Sequence, residues 1–336
     1  MKKALLSITL IGTIAALFIV SCSKTYNRGT TTQSLNQLFA GLRSTPQTIT
    51  VTAGRDAIVY APKGTRLHFY PNSFKDANGN TISGGIVTLQ IVEMYTPGDM
   101  IANRATTMVG DQIILSSGQV NIVATMNGQP VYTNGYGIAF KHSVSSTDAM
   151  ALFYGSTRTP DSAVTWTLSD TTLKGKTTVG TKVDTAATNP IFFFFDTCNS
   201  FTYANCDWFS NNDSPRTTVS VVLPNGTFNP ANTSIFVVLP AYSMGKDITG
   251  NYVAVLTSDY GRNGYNAATN TMQLISGIYT NVVPAGANYE LVVISNINGQ
   301  YYYWKTSGVM PHNGVIVNAV PTPDTEGDIL SKLAGL

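Results

Sequence analysis

The apolar positions of the chain recur mainly with a period of two, the period of a strand with one buried face. Val87, Leu89 and Ile91 alternate with Thr88 and Gln90. Two further segments alternate in the same way, with in-phase positions at Val120, Ile122 and Ala124 and at Thr217, Val219, Val221 and Leu223. The pattern therefore predicts half-buried antiparallel strands.

Turn signals separate these segments. Asn followed by Gly is favoured where a hairpin turn requires positive φ angles at both residues. The sequence contains seven such pairs, which begin at Asn78, Asn127, Asn134, Asn225, Asn263, Asn298 and Asn313. Most are expected to reverse the chain between strands, which predicts an all-β protein built from antiparallel β-sandwich domains.

Only two segments have the period of a helix. The first has an apolar face formed by Leu35, Leu38, Phe39 and Leu42, a capping-box spacing at Ser34 and Gln37, and a stop at Ser44-Thr45-Pro46. The second runs from Asp324 to Leu333 and is expected to turn Ile329, Leu330 and Leu333 inward. The fold therefore gains a short helix near each end.

The N-terminus has the layout of a bacterial lipoprotein signal peptide. Lys2 and Lys3 precede an apolar run from Ala4 to Val20, which is followed by Ser21 and Cys22. The resemblance to lipobox proteins implies cleavage before Cys22, attachment of diacylglycerol to its sulfur, and acylation of its amino group. Several acyl chains anchor a protein stably, so Cys22 is the predicted lipidation site.

The charge balance argues against nucleic-acid partners. Cleavage before Cys22 removes Lys2 and Lys3, so that the 20 basic and 18 acidic side chains of the full sequence become equal in number. No basic field remains to attract nucleic acid. Only 11% of the residues are charged while 43% are hydrophobic, a composition that suits a compact exported protein.

Polar stretches suggest the domain limits. Residues 1–21 form the predicted signal peptide, and residues 22–46 a lipidated leader with the short helix. Residues 169–189 are rich in Thr and read as a linker between a first β-domain at 47–168 and a second β-sandwich at 190–320, followed by a tail or helix at 321–336.

Several motifs resemble segments of uncharacterised lipoproteins from Bacteroidota. They are Gly64-Thr65, Pro71-Asn72-Ser73-Phe74, Asp76-Ala77-Asn78-Gly79-Asn80, Met150-Ala151-Leu152-Phe153-Tyr154-Gly155 and Asn205-Cys206-Asp207-Trp208-Phe209. The N-terminal β-domain of those proteins is distantly similar to ZU5-type interaction modules. The resemblance implies a ZU5-like domain followed by an Ig-like sandwich, anchored at the outer membrane by lipid such as palmitate, and it supplies no catalytic residue.

The same resemblance implies O-glycosylation. Proteins exported by Bacteroidota carry glycans at Asp followed by Ser or Thr and then a small or apolar residue. The matching acceptors are Ser162, Thr171 and Thr185, clustered in or beside the Thr-rich stretch. The alternative is a solvated linker whose Asp and Thr residues form turns.

Catalytic and metal-binding motifs are poor. His68, His142 and His312 lack any metal-ligand spacing, and the sequence has no nucleophile elbow, P-loop or dinucleotide fingerprint. The loop at Asp76 has oxygen-bearing side chains at alternate positions but fits a β-turn better than a calcium loop. We therefore predict no enzyme activity, no metal and no cofactor.

Cys198 and Cys206 are the only thiols left once Cys22 is acylated. An exported protein meets an oxidising compartment, which favours a disulfide between them; the alternative is two buried thiols.

The aromatic run Tyr301, Tyr302, Tyr303 and Trp304 allows two interpretations. Alternation in a strand places Tyr301 and Tyr303 on one face and Tyr302 and Trp304 on the other. These rings either pack in a core or form a ligand surface, since exposed rings stack on sugars.

The sequence is therefore interpreted as a lipid-anchored outer-membrane protein that acts as a non-catalytic binding module for an envelope protein or glycan. The alternatives are an accessory lipoprotein that binds or processes polysaccharides and, third, an envelope hydrolase.

Overall fold

A computed structural model describes residues 32–109, 112–142, 150–157, 163–169, 180–183, 191–209, 215–224, 226–240, 254–257, 264–274 and 282–336. These residues form three short helices and 26 strands, so the predicted all-β fold is confirmed. The helices are α1 (Thr32–Leu42), α2 (Pro97–Ala102) and α3 (Glu326–Ala334).

The strands of the first half are β1 (Gln47–Thr52), β2 (Ala57–Tyr60), β3 (Arg66–Phe69), β4 (Phe74–Lys75), β5 (Ile86–Met94), β6 (Met108–Val109), β7 (Gln112–Met126), β8 (Gln129–Pro130), β9 (Tyr132–Thr133), β10 (Tyr136–His142), β11 (Ala151–Thr157), β12 (Val164–Leu168), β13 (Gly180–Val183), β14 (Ile191–Cys198) and β15 (Tyr203–Phe209). Those of the second half are β16 (Arg216–Thr217), β17 (Val219–Val222), β18 (Thr233–Leu239), β19 (Ala254–Thr257), β20 (Tyr265–Asn266), β21 (Thr271–Gln273), β22 (Val283–Pro284), β23 (Asn288–Ile297), β24 (Gln300–Val309), β25 (Val315–Asn318) and β26 (Thr322–Asp324).

Most strands belong to four sheets. Sheet I has the order β1-β5-β7-β15-β11-β12, with β6 and β8 also paired to β7, and sheet II has the order β13-β14-β10-β3-β2. Sheet III has the order β20-β21-β17-β25, and sheet IV the order β19-β18-β23-β24-β26. Two short two-stranded ladders, β4 with β9 and β16 with β22, complete the strand-to-strand pairings of the described residues.

One pair departs from the predicted antiparallel arrangement. β25 runs parallel to β17, with Val219 opposite Val315. The chain reaches β25 from sheet IV, and a connection between two sheets does not impose the antiparallel direction that a hairpin does.

The predicted alternation is confirmed in the strands themselves. Leu89 and Ile122 are fully buried, whereas Val123, one position out of phase, is 46% exposed. The β7–β8 hairpin turns at Asn127 and Gly128, whose φ angles of 52° and 77° are both positive, as the Asn-Gly signal predicts.

Two apolar clusters organise the sheets. The larger one lies between sheets I and II and continues between sheets III and IV; it includes Leu89, Phe140, Val221 and Val237. The smaller one joins the three helices to the opposite faces of sheets I and IV; it includes Leu38, Phe39, Met100, Phe153, Val292 and Ile329. The helices therefore fill the space between two sandwiches.

The helices agree with the sequence only in part. Leu35, Leu38, Phe39 and Leu42 are buried as predicted, but α1 begins at Thr32, so Ser34 lies inside the helix rather than at its cap. In α3, Ile329 and Leu333 are buried, whereas Leu330 is 38% exposed because it lies on the outer side of the helix.

The pairing of β13, β14 and β15 crosses the predicted domain limits. β13 lies inside the predicted linker and pairs with β14 at the edge of sheet II, and β14 in turn pairs with β10. β15 pairs with β7 and β11 in sheet I. These strands, which the sequence assigned to the linker and the second domain, therefore complete the first sandwich. The linker prediction was wrong for β13 because a strand at a sheet edge tolerates a polar sequence. In the predicted tail, β26 pairs with β24 before α3 begins.

Candidate binding surface on the outer face of sheet II

The predicted modification sites lie outside the described residues. This holds for Cys22 and for Ser162, Thr171 and Thr185. No helix in the described part of the chain is long and apolar enough to cross a membrane.

The two remaining cysteines are buried and are not joined in a disulfide. Cys198 ends β14 in sheet II, whereas Cys206 lies in β15 of sheet I. Facing sheets pack about 10 Å apart, whereas a disulfide joins Cα atoms about 4–7 Å apart. The structure therefore contradicts the predicted disulfide, because the chain crosses from one sheet to the other between the two residues. Burial also raises the pKa of the Cys206 thiol well above its ordinary value.

The aromatic run of β24 is accounted for by packing. β24 is paired on both edges, to β23 and β26. Tyr303 is buried against the helices, and the Tyr301 hydroxyl lies 3.3 Å from Glu326 Oε2. On the other face, the ring of Tyr302 contacts Phe228 edge-on at 5.3 Å, and Trp304 packs on the larger core. These contacts favour the packing interpretation. Tyr301, Tyr302 and Trp304 are only partly buried, so the alternative of a ligand surface at this run stays a prediction.

Two buried acidic side chains have hydrogen-bond partners within the fold. Glu93 accepts hydrogen bonds from the backbone N–H groups of Lys63, at 2.6 Å, and Thr65, at 2.8 Å, so it holds the turn that precedes β3. Asp207 accepts from the side-chain amide of Asn205. Burial raises the pKa of Asp207 well above its ordinary value, since the charged form is desolvated.

The remaining candidates for metal chemistry have structural partners. Asp76 Oδ1 accepts from the backbone N–H groups of Asn78 and Asn80, both at 2.8 Å, which is the turn that the sequence favours over a calcium loop. His68 Nε2 lies 2.9 Å from Asp56 Oδ1. Within the described ranges, no three His, Cys, Asp or Glu side chains are grouped so that they could hold a metal ion.

The outer face of sheet II carries several planar side chains. In β3 and β10, Leu67, Phe69, Ile138 and Phe140 point into the core. Because side chains alternate along a strand, the residues between them point outward. We call the outward set the sheet II platform: Arg66, His68, Tyr70 and Phe194 around Gly137 and Ala139, with Ile58 and Tyr60 at the β2 edge.

Small residues in β10 let the larger side chains approach one another across it. Arg66 and Phe194 are both in register with Ala139, which is only 1% exposed. The Arg66 guanidinium carbon nevertheless lies 5.3 Å from the Phe194 ring centroid. The two side chains therefore meet over the methyl group of Ala139, in a cation–π contact.

Gly137, the next outward-facing residue of β10, also leaves room for large side chains from the neighbouring strands. A Cβ at this position would lie 3.5 Å from both the Tyr70 hydroxyl and Phe194 Cζ, so these groups converge over the glycine. The Tyr70 ring also contacts that of His68, with centroids 4.4 Å apart. Aromatic and guanidinium groups thus lie next to one another above the backbone of β10.

The β2 edge extends the platform with exposed apolar groups. Tyr60 is opposite Arg66 and Ile58 is opposite His68 in the β2–β3 ladder. Tyr60 is 60% exposed and Ile58 47%. These side chains are among the most exposed large apolar groups of the described residues, so this edge is available for contact.

Two basic side chains at and beside the platform have no carboxylate partner among the described residues. Asp56 is paired with His68. Arg66 and Lys141, the next outward residue of β10, make no ion pair within the part of the chain that the structure describes. In addition, Arg66 Nε is buried without a hydrogen-bond acceptor among these residues.

This surface was not predicted from the sequence, because its aromatic side chains are not adjacent along the chain. The local signal was the alternation of Arg66 and His68 with Leu67 and Phe69, which marks a strand with planar outward groups. The contribution of Phe194 had no such signal, since it depends on β14 pairing with β10.

Comparisons with known proteins add no family to this description. The chain matches no protein-family model, and no curated protein sequence is significantly similar to it.

Proposed function

We propose that this protein is a lipid-anchored, non-catalytic binding protein of the bacterial outer membrane and that the sheet II platform is its binding surface. The observation that carries the proposal is the convergence of Arg66, His68, Tyr70 and Phe194 over the small residues of β10. Planar groups gathered on one sheet face suit recognition of a partner, since aromatic and Arg side chains supply most of the binding energy at interfaces. The lipobox at Cys22 and the resemblance to Bacteroidota lipoproteins with a ZU5-like domain support the location.

The leading alternative is an accessory lipoprotein for polysaccharides. It is favoured by the platform itself, because exposed rings with polar groups at their rim suit the faces and hydroxyls of sugars. A hydrolase remains the third candidate, and no contact among the described residues favours it.

Lipid anchoring is tested at Cys22. Wild-type protein and the Cys22→Ser variant are expressed in the native host with labelled palmitate and followed by membrane fractionation. We expect label and membrane association in the wild type and loss of both in the variant. Retention of the variant in the membrane fraction would exclude the anchor.

Binding is tested by cross-linking of the lipidated protein to its partners in intact envelopes. The platform variants are Tyr60→Ala and Phe194→Ala. The matched control is Tyr132→Ala, which removes a tyrosine that is 53% exposed and belongs to the β4–β9 ladder rather than to sheet II. We expect the platform variants to lose the cross-linked material, whether protein or glycan, and the control to keep it. Equal yields from all three variants and the wild type would refute the proposed surface.

A further inference from the structure

The shape of the platform suits a ligand with flat apolar faces. Phe194 and Tyr70 converge over Gly137 rather than projecting as separate anchors, and Tyr60 adds an exposed ring at the edge. A pyranose ring presents an apolar C–H face to such rings and hydroxyl groups at its rim. Hydrogen-bonding groups for those hydroxyls lie beside the rings in the paired His68 and Asp56.

The charge of the platform adds a second requirement. Arg66 and Lys141 are not neutralised by a carboxylate of the described residues. A guanidinium group binds a carboxylate through two parallel hydrogen bonds, and a nearby ammonium group strengthens the attraction. A neutral ligand would gain no binding energy from either charge.

Nucleic acid also combines planar faces with negative charge, but the rest of the chain does not suit it. The full sequence carries 20 basic and 18 acidic side chains, so the long-range field is weak. Binding to a phosphate backbone depends on a substantial basic surface. A carboxylated sugar polymer requires only the local charges that the platform has.

We propose that the ligand of the sheet II platform is an acidic polysaccharide, with uronic-acid carboxylates bound by Arg66 and Lys141 and sugar faces packed on Phe194 and Tyr60. This inference rests on the proposed function and names the ligand class for the same surface.

The test is calorimetric titration of the full mature protein, solubilised in detergent, with a uronate oligosaccharide. Oligogalacturonate is the probe, a neutral galacto-oligosaccharide of equal length is the uncharged control, and polyglutamate and oligothymidylate are the other polyanions. We expect binding of oligogalacturonate that weakens with added salt, and at least about tenfold weaker binding of the neutral oligosaccharide, since charged hydrogen bonds are lost.

Variants assign the two kinds of contact. Phe194→Ala is expected to weaken oligogalacturonate binding roughly fivefold to tenfold. Arg66→Gln is expected to weaken it about tenfold or more, and Arg66→Lys to restore only part of the loss, because the ammonium group lacks the paired donors. Tyr132→Ala is the control and is expected to bind as the wild type does. Thermal melting checks that each variant is folded.

The possible results separate this inference from the proposed function. Equal affinity for the neutral and acidic oligosaccharides, preference for polyglutamate or oligothymidylate, or no glycan binding would overturn the acidic polysaccharide. The proposed function would still stand if Tyr60→Ala and Phe194→Ala lost their cross-linked partner in envelopes. Both would fall if the platform variants behaved as Tyr132→Ala does in both experiments.

Discussion

Thr107 and Val255 are joined by hydrogen bonds in both directions. The Thr107 N–H donates to the Val255 carbonyl at 2.8 Å, and the Val255 N–H donates to the Thr107 hydroxyl oxygen at 2.8 Å. Thr107 immediately precedes β6 beside sheet I, and Val255 belongs to β19 at the edge of sheet IV. Both residues are fully buried, so this pair connects the two sandwiches where water cannot replace the lost bonds.

Replacing the hydroxyl of Thr107 should therefore be costly. We expect Thr107→Val to lower the free energy of unfolding by about 1–3 kcal/mol, because the N–H of Val255 is left buried without an acceptor. Thr107→Ser keeps the hydroxyl and is expected to lose less. Urea denaturation measures both, and a Ser variant less stable than the Val variant would contradict this role of the hydroxyl.

Asp207 makes the stability depend on pH in an unusual direction. Because burial raises the pKa of this carboxyl above its ordinary value of 3.8, the folded state binds the proton more tightly than the unfolded state does. The stabilisation that this tighter proton binding gives the folded state is fully present below about pH 4. It is lost as the pH rises through the folded-state pKa.

Asp207→Asn removes this titration but keeps an oxygen that can accept from Asn205. We expect the stability difference to shift in favour of the variant as the pH rises from about 4 to about 8, by at most about 1.4 kcal/mol per pH unit. Chemical denaturation of both proteins over this range measures the shift. A difference that stays constant would show that Asp207 is ionised in the folded state.

Gly155 occupies a site with no room for a side chain. A Cβ there would lie 2.6 Å from Val164 Cγ1, 2.7 Å from Tyr203 Cβ and 2.8 Å from Trp166 Cζ3. We expect Gly155→Ala to lower the free energy of unfolding by about 1–3 kcal/mol through overpacking. Gly137→Ala is the matched control, since its closest neighbour, His68 Cβ, is 3.4 Å away; a change within about 0.5 kcal/mol is expected for it. Equal losses in thermal or urea denaturation would contradict crowding at Gly155 as the cause, because the entropy of the unfolded chain favours Ala over Gly at both positions.

The thiols of Cys198 and Cys206 should remain separate in the folded protein. Alkylation of the denatured protein without reductant is expected to label both residues, and mass spectrometry counts the added groups. The melting temperature should not respond to reductant, whereas a bridge would have contributed about 2–5 kcal/mol. Labelling of both thiols only after reduction would show that they form a disulfide.

Glycosylation of Ser162, Thr171 or Thr185 remains a prediction. Intact-mass spectrometry of protein from its native host is expected to show hexose-sized additions to polypeptide plus lipid, which disappear when all three residues are replaced by Ala. Glycans would hinder proteolysis of this Thr-rich stretch. A mass equal to polypeptide plus lipid would contradict glycosylation at these residues.

Features encoded within one segment were the ones that the sequence predicted well. Leu89 and Ile122 are buried because alternation alone fixes the face of a strand, and the apolar face of α1 follows from its spacing. α2 was missed although its signal is local: Thr96 and Asp99 form a capping box, and Pro97 occupies the first turn. The segment is too short to show a helical period.

Features that depend on which strands become neighbours were not predictable from pattern. Phe194 joins Arg66 only because β14 and β3 both pair with β10. Cys198 and Cys206 are close in sequence, yet β14 and β15 belong to different sheets. Composition suggested a linker where β13 extends sheet II, since a polar strand at a sheet edge resembles a polar loop in sequence.

The position of α1 has a mechanical consequence. It is the first described element after Cys22, and Phe39 packs edge-on against Phe236 of sheet IV with centroids 6.0 Å apart. If Cys22 is held by lipid, tension on the tether enters the fold at this helix, between the two sandwiches. The hydrogen-bonded sheets would then be spared, because a pull on α1 strains apolar packing before it strains strand pairing. The apolar contacts between the two sandwiches are thus expected to separate first, while the sheet II platform stays folded.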